Sequence, residues 1–429
     1  MQSYLDLTRF DGNEKLFEAV EMAIISIIWG VPLHIHAEGL RGTGKTTIMR
    51  AAREIMPPIE RISGCLYNCD PQCPHCPDHK HLSPEEIAVI GTETVPRPFL
   101  EISASAKIGT IVGSIDLSKI TDSANPIAAL LPGIIPQAHR GVIFVDEINR
   151  LADTAPELTD VLLDVMGTKP GRVQIEETGL PVVELPVQVS VWAASNPDED
   201  PGPLQEIRRQ LSDRFDFVVD MGRSRDVDAV VKILEQSAES HKDSFAAVEP
   251  KDSDIRVLHL RTKFEQIAEK YKENNMPDFL RSFIARTYIK YNLESLRAIE
   301  AIQHGALLNA AWREAEQILI SDILKVIPMA LQHRVEPETL AKVLGSPLQS
   351  RTDHQTYDDT NLNTATGNDA PAGKSSFINA FKELIGKDQK TKSQKNDTIQ
   401  AIPQNKARVI DDIKPDDLIK TEDDFRSKH

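Results

Sequence analysis

Aromatic residues make up only 5% of this 429-residue chain, and cysteine is nearly absent, its four copies all falling between Cys65 and Cys76. So few cysteines in so long a chain exclude a disulfide-stapled secreted scaffold. Long apolar runs are also missing. The longest, residues 23–31, falls far short of the roughly twenty residues that a membrane helix needs. The first twenty residues carry Asp6, Asp11, Glu14 and Glu18 where a cleavable leader would have an apolar core, so a cytoplasmic protein without a membrane span is expected. Basic charge is in deficit, with 49 Lys and Arg against 65 Asp and Glu and a formal net charge of −16. That balance argues against a nucleic-acid clamp, which draws its affinity from basic surface. The length still suffices for an α/β core, a helical second domain and a tail.

The most informative motif is Gly39-Leu40-Arg41-Gly42-Thr43-Gly44-Lys45-Thr46, a complete G-x-x-x-x-G-K-[ST] loop between a strand-like run at 32–37 and a helix-like run at 46–55. Gly39, Gly42 and Gly44 let backbone N–H groups close around phosphates, and Lys45 reaches the β and γ oxygens. Thr46 holds Mg²⁺, Thr47 completes the cofactor-binding set, and the following helix directs its positive end at the anion. The cofactors expected are therefore ATP and Mg²⁺. Downstream, Gly141-Val-Ile-Phe-Val-Asp146-Glu147 reads as a buried strand ending in two carboxylates, Asp146 for the Mg²⁺ shell and Glu147 to polarise the attacking water. A third strand-like run, 189–195, delivers Asn196 as a sensor that orients that water. Beyond it, Asp213-Arg214-Phe215 precedes another apolar run, 217–221. Arg214 there suits a finger on a neighbour's nucleotide, because its planar, permanent charge matches charge spread over phosphoryl oxygens. The plainer alternative is an ion pair of Arg214 with Asp213 or Asp216.

With Lys107-Ile-Gly-Thr-Ile-Val-Gly-Ser-Ile-Asp116, His139-Arg-Gly-Val-Ile-Phe-Val-Asp-Glu-Ile-Asn149 and Val161-Leu-Leu-Asp-Val165, these motifs make the chain similar to the AAA+ ATPase (I) subunit of magnesium chelatase, over roughly residues 10–345. The resemblance implies a ring-forming motor, a homo-oligomer of hexamer type, with a helix-2 insert near 105–121 and a pre-sensor hairpin near 173–186. It also implies a helical lid whose second sensor arginine is best matched by Arg297. Two departures stand out: Gly12-Asn13 only loosely matches the family's Gly-Gln, and extra residues follow Asn196. Nothing in the chain reads as a tetrapyrrole site, so its target is reached through a protein partner. One reading is a chelatase motor that drives metal insertion into a tetrapyrrole through partner subunits. The other is a remodelling ATPase acting on a protein with a metal-ion-dependent (VWA-type) adhesion domain.

Composition shifts divide the chain. Residues 1–222 alternate strand-like and helix-like segments, which predicts an α/β AAA+ core, a P-loop doubly wound parallel sheet carrying a Cys-rich loop at 64–80. Residues 223–345 show helical periodicity at 226–237, 257–271, 278–291 and 300–318, as a C-terminal helical lid domain would. Residues 346–429 are polar and mostly too poor in large apolar groups to order themselves, apart from a short amphipathic helix at 375–386 read as either a docking element or a nascent helix. Within that tail, Gly373-Lys374-Ser375-Ser376 imitates a phosphate loop, but Asn368 stands where its first glycine belongs and no apolar strand precedes it.

Cys65, Cys69, Cys73 and Cys76 have the makings of a closed tetrahedral Zn²⁺ site, with Cys73 and Cys76 at knuckle spacing. An iron–sulfur centre, a redox disulfide and free thiols remain open alternatives, and His75 or His79 could replace one thiolate. The resemblance transfers no role to this stretch. His34 and His36 share one face of the first strand and are read as packed core histidines. His333-Arg334 is read as a packing or interface pair.

Overall fold

The computed structural model describes residues 3–115, 130–175, 182–242 and 252–345. The expected tail helix at 375–386, the loop imitation at 373–376, the end of the expected insert (116–121, with the residues that follow to 129) and the middle of the expected hairpin (176–181) lie outside them.

Five parallel strands build the central sheet: β1 (Ile35–Gly39), β2 (Phe99–Ile102), β3 (Gly141–Val145), β4 (Val189–Ser195) and β5 (Phe217–Met221), in the order β5-β1-β4-β3-β2. β1 lies between β4 and β5, with Ile35 opposite both Trp192 and Phe217. Parallel neighbours require crossover connections, which is why strand-like and helix-like segments alternate along this half of the chain. β3 and β4 are buried along their whole length, as strands covered on both faces must be. Strand alternation then divides their side chains between two cores. Val142, Phe144 and Trp192 join the core on one face, with α1 (Glu14–Ile28) and α2 (Lys45–Ala51). Ile143, Val145, Val191 and Ala193 enter the other, with α3 (Ile148–Thr154), α4 (Pro156–Val165) and the cysteine-rich loop.

The first strand covers Ile35–Gly39 rather than 32–37, so Glu38 and Gly39 belong to it. α2 starts at Lys45 and tightens into a 3₁₀ turn at Ala52–Ile55. In the expected insert, a short helix (Ile108–Val112) leads into Gly113–Ile115, antiparallel to Leu130–Pro132. In the expected hairpin, Gly171–Ile175 pairs antiparallel with Val183–Val187.

The helices that follow are α5 (Val227–Lys242), α6 (Asp252–Tyr271), α7 (Asp278–Lys290), α8 (Leu296–Trp312) and α9 (Ile320–Leu331). The sequence suggests one helix through 300–318, yet α8 stops at Trp312 and the chain turns at Glu314, held at φ +56°. Buried Asp322 secures this turn by accepting hydrogen bonds from Arg313 Nε (2.7 Å), Arg313 Nη2 (2.7 Å), Asn309 Nδ2 (2.7 Å) and the Leu319 N–H (2.7 Å). The turn therefore rests on a side-chain network rather than on a glycine. α8 presses on the sheet so closely that a Cβ added at Gly305 would stand 2.6 Å from the Phe217 ring. Leu16, Phe17, Val20 and Ile24 of α1 share the same core with residues of α6, α8 and α9. Among the described residues no helix is long and apolar enough to cross a membrane.

Candidate active site

The carboxyl ends of β1, β3 and β4 bring the sequence motifs together. Gly39 closes β1 at φ +149°, and a Cβ there would stand 2.7 Å from the Met221 carbonyl oxygen. Gly44, at φ +88°, forms the entry to α2 in a left-handed conformation that a side chain would strain. Lys45 is buried, and its Nζ donates to the Gly39 carbonyl (2.6 Å), the Leu40 carbonyl (2.8 Å) and Asn196 Oδ1 (2.9 Å). Burial lowers the Lys45 pKa, with Asp146 and Glu199 opposing the shift. The loop lysine and the sensor-like amide thus meet directly.

Thr46 Oγ1 donates to Asp146 Oδ1 at 3.2 Å. A hydroxyl beside a carboxylate is the hard-oxygen pair that Mg²⁺ takes, so the side chains present fit that ion. Thr47, one residue on, is exposed on the first turn of α2. Glu147 sits at φ +52°, ψ +50°, a left-handed conformation uncommon for a residue with a side chain. Its backbone N–H donates to Asp146 Oδ1 at 3.2 Å, and its carboxylate accepts from Arg150 Nη1 at 2.8 Å.

Three contributors to this site were missed by the sequence reading. Asn149 Nδ2 donates to the Asn196 carbonyl (3.3 Å) and the Gly202 carbonyl (3.1 Å), tying α3 to the loop after β4. Arg150 holds Glu147. Arg50 forks onto Glu101 at 3.0 and 2.9 Å and stands 3.5 Å from Asp146 Oδ2. Asn149 was within reach, since it ends the Asp146-Glu147-Ile148-Asn149 segment. Arg50 gave no local signal, because its role depends on α2 facing the end of β2.

Beneath the loop, His36 Nε2 meets Ser195 Oγ at 2.8 Å, and burial, helped by Lys45, pushes its pKa down to about 3. His34 Nδ1 accepts the Val191 N–H at 3.0 Å. Both are packed core histidines, outside the metal-binding grouping of His, Cys and carboxylates among the described residues.

Arg214 and Arg297 come together at a second place, a cleft of about 710 Å³ whose lining also includes Asp164, Gly167 and Arg172 but none of Lys45, Thr46, Asp146, Glu147 or Asn196. Arg297 Nη2 donates to the Gly167 carbonyl at 3.1 Å. Burial lowers the Arg214 pKa and Arg297 lowers it further, against Asp213 and Asp164. The two carboxylates that the sequence offers Arg214 as ion-pair partners are engaged elsewhere. Asp213 pairs with Arg334 Nε (3.0 Å), and Asp216 with Lys169 (2.9 Å). Arg334 also donates to the carbonyls of Asp213 (2.6 Å) and Phe215 (2.8 Å), while His333 Nε2 meets the Phe215 carbonyl at 3.1 Å. The His333-Arg334 pair thereby holds the Asp213-Arg214-Phe215 segment in place.

In the cysteine-rich loop, the potential ligand atoms of Cys65, Cys69, Cys76 and His79 all lie within 4.8 Å of one another. Cys73, expected as a fourth ligand, does not join them. It is exposed beyond a tight turn in which its N–H donates to the Asp70 carbonyl at 3.1 Å, and His79 takes the fourth place instead.

Residues 281–350 match the family model of the AAA lid domain, which places both Arg297 and Arg334 in the lid. The chain is 27% identical over 342 residues to the 38 kDa subunit of magnesium chelatase from Acidiphilium rubrum, covering 79% of this chain and 92% of that one. It is 28% identical over 351 residues to a magnesium-chelatase subunit ChlI homolog from Methanocaldococcus jannaschii, covering 80% and 90%. The chain resembles the AAA+ ATPase (I) subunit of magnesium chelatase. A solved chain from a complex between the BchI and BchD subunits of magnesium chelatase covers 80% of this chain and 98% of that one, at 23% identity and a TM-score of 0.40. For this AAA+ chain the decisive local feature is the division of its charged machinery between a phosphate-loop half and an arginine half.

Glu38, just before the loop, has its pKa raised to about 7 by burial and secondarily by Asp220. A carboxyl whose folded pKa is raised contributes stability fully at low pH and loses it as pH climbs through the folded value, here from about 4.3 to about 7. Glu38→Gln should remove that loss. The variant is expected to be more stable than the parent by about 1–3 kcal/mol at pH 8, with the difference vanishing near the ordinary glutamate pKa. Denaturant unfolding across this range measures it, and superimposable pH profiles would contradict the shift.

Proposed function

We propose that the chain hydrolyses Mg-ATP at the interfaces of a homo-oligomeric ring, hexameric as its resemblance implies, and that the resulting motion drives partner subunits that insert a metal into a tetrapyrrole. The observation that carries this reading is the division just described. The P-loop half has a lysine, metal donors and a carboxylate, and its nearby arginines, Arg50 and Arg150, are held by Glu101 and Glu147, whereas the cleft lined by Arg172, Arg214 and Arg297 has no phosphate loop. Two such halves become one site when the cleft of one chain meets the P-loop of the next. The names of the relatives, each a magnesium-chelatase subunit, support the chelatase setting.

In this mechanism Lys45 exchanges the Gly39 and Leu40 carbonyls for β and γ phosphate oxygens. Thr46 and Asp146 hold Mg²⁺, which when bound neutralises charge on the phosphates. Glu147, turned from Arg150, accepts a proton from water as the water oxygen bonds to the γ-phosphorus and the bond to the β-phosphate oxygen breaks, releasing ADP. Asn196 orients that water and shares Lys45 with the phosphates. Arg214 from the neighbouring chain stabilises charge on the transferring group, and Arg297 assists from the same cleft.

Lys45→Ala is expected to abolish ATP binding, whereas Glu147→Gln should keep binding and lose turnover by about 10²–10⁴-fold, the usual worth of a general base. Nucleotide binding and steady-state hydrolysis measure the two, and undiminished hydrolysis by the Glu147→Gln protein would remove that residue from its role.

Arg214→Ala should cost about 10³–10⁵-fold in hydrolysis with binding little changed. Mixing this variant with Glu147→Gln chains should restore activity, because one kind of mixed interface keeps both Glu147 and Arg214. A mixture no more active than its components, with rings still formed, would place the arginine in its own subunit's site.

The partner is proposed to carry a metal-ion-dependent adhesion domain and to bind the ring in its ATP state. The Glu147→Gln ring with ATP should retain such a protein from native lysate and release it with ADP. Recovery that ignores the nucleotide would count against coupling.

A further inference from the structure

We propose that Cys65, Cys69, Cys76 and His79 form a closed, structural zinc site within the AAA+ core. The first support is convergence. Three thiol sulfurs and one imidazole nitrogen lie within 4.8 Å of one another, all but His79 buried. Zinc bound at about 2.3 Å to each sulfur needs sulfurs about 3.8 Å apart, so the donors have only about an ångström to close. Four donors crowded on one point suit a single ion, whereas an iron–sulfur cluster needs its cysteines spread around a larger body. Three soft sulfurs and one imidazole are the donor set that zinc takes in its tetrahedral structural sites, and with all four positions taken by protein the ion has no place for substrate.

The second support is the way the donors are aimed. His79 Nδ1 stands 3.1 Å from Cys76 Sγ. Cys69 Sγ accepts two backbone N–H groups, from His75 at 3.4 Å and Cys76 at 3.3 Å. Such N–H donors surround thiolates that bind metal, where they orient the sulfur and offset its charge. The chain folds to present them through short turns: the Asn68 N–H donates to the Cys65 carbonyl at 3.3 Å, and the His79 N–H to the Cys76 carbonyl at 3.2 Å.

The third support is the loop's lack of another centre. Leu66 is 55% exposed, and the buried residues of the run are the three cysteines, Tyr67, Asn68 and Pro77. The loop is fastened to the sheet beside β3. Arg140, the residue before that strand, pairs with Asp70 at 3.1 Å and donates to the Glu60 carbonyl at 2.7 Å. Asn68 Nδ2 donates to the Gln137 carbonyl at 2.6 Å, and the His75 ring stacks on His139 at 3.8 Å. A zinc ion at the cysteines and His79 therefore braces the loop against the start of the strand that ends in Asp146 and Glu147. Cys73, exposed and outside the group, serves as an internal control.

The test uses the full chain purified without a metal-affinity column and under reductant. Elemental analysis should find about one zinc per chain in the parent and in Cys73→Ser, and little or none in Cys69→Ser and Cys76→Ser. Should those two variants misfold, thiol titration of the folded parent gives an independent reading. One thiol, Cys73, should react readily, and the other three only after a chelator or denaturant releases zinc. Cobalt exchanged into the parent should show the intense d–d and thiolate-to-metal bands of a tetrahedral sulfur site. Metal-free protein with all four thiols equally reactive would overturn the proposal, as would zinc retained in full by folded Cys69→Ser, or iron with a visible band in place of zinc.

Discussion

The parallel register of β1, β4 and β3 is the constraint on which the rest depends. It sets Gly39, Asn196 and Asp146 at neighbouring strand ends, and only there does Lys45 span from the Gly39 and Leu40 carbonyls to the Asn196 amide while Thr46 reaches Asp146. A strand slipped by one residue would turn its side chains to the opposite face and break these contacts together. The two cores on either side of the sheet hold the register, because each alternate residue of β3 and β4 is committed to one of them.

Within that frame, charge is distributed with economy. Lys45 rests on carbonyl oxygens, Glu147 on Arg150, Arg50 on Glu101 and Asp213 on Arg334. Arg214 forms no ion pair among the described residues, although Arg297 faces the same cleft. Two guanidinium groups sharing a cleft repel each other, and an incoming anion relieves that repulsion. The lid supplies Arg297 as well as Arg334, so the docking of α8 and α9 on β5 bears on the arrangement of Arg214.

Much of the fold was legible because its signals are local. The phosphate loop, the continuous apolar runs of β3 and β4, and the helical periodicity of α5, α6 and α7 each speak through neighbouring residues. The break between α8 and α9 was not legible, since it depends on Asp322 accepting from Asn309 and Arg313, side chains brought back by the turn itself. Among the site residues, Lys45, Thr46, Asp146 and Asn196 could be anticipated as neighbours because strand ends in a doubly wound sheet meet at one edge. Arg50 and Arg334 could not, as each acts on a distant segment. Cys73 was expected in the sulfur cluster on spacing alone. The turn at Asp70 carries it outward, and His79, three residues beyond Cys76, comes inward.

The claim at the centre of this account is that two incomplete halves make one ATP site between chains. A cryo-electron-microscopy reconstruction of the Glu147→Gln ring with Mg-ATP addresses it directly. The account requires Lys45 to have left the Gly39 and Leu40 carbonyls for phosphate oxygens, and Arg214 of the adjacent chain to stand at the γ-phosphate. Rings in which every nucleotide is bound with Arg214 far from any phosphate would contradict it.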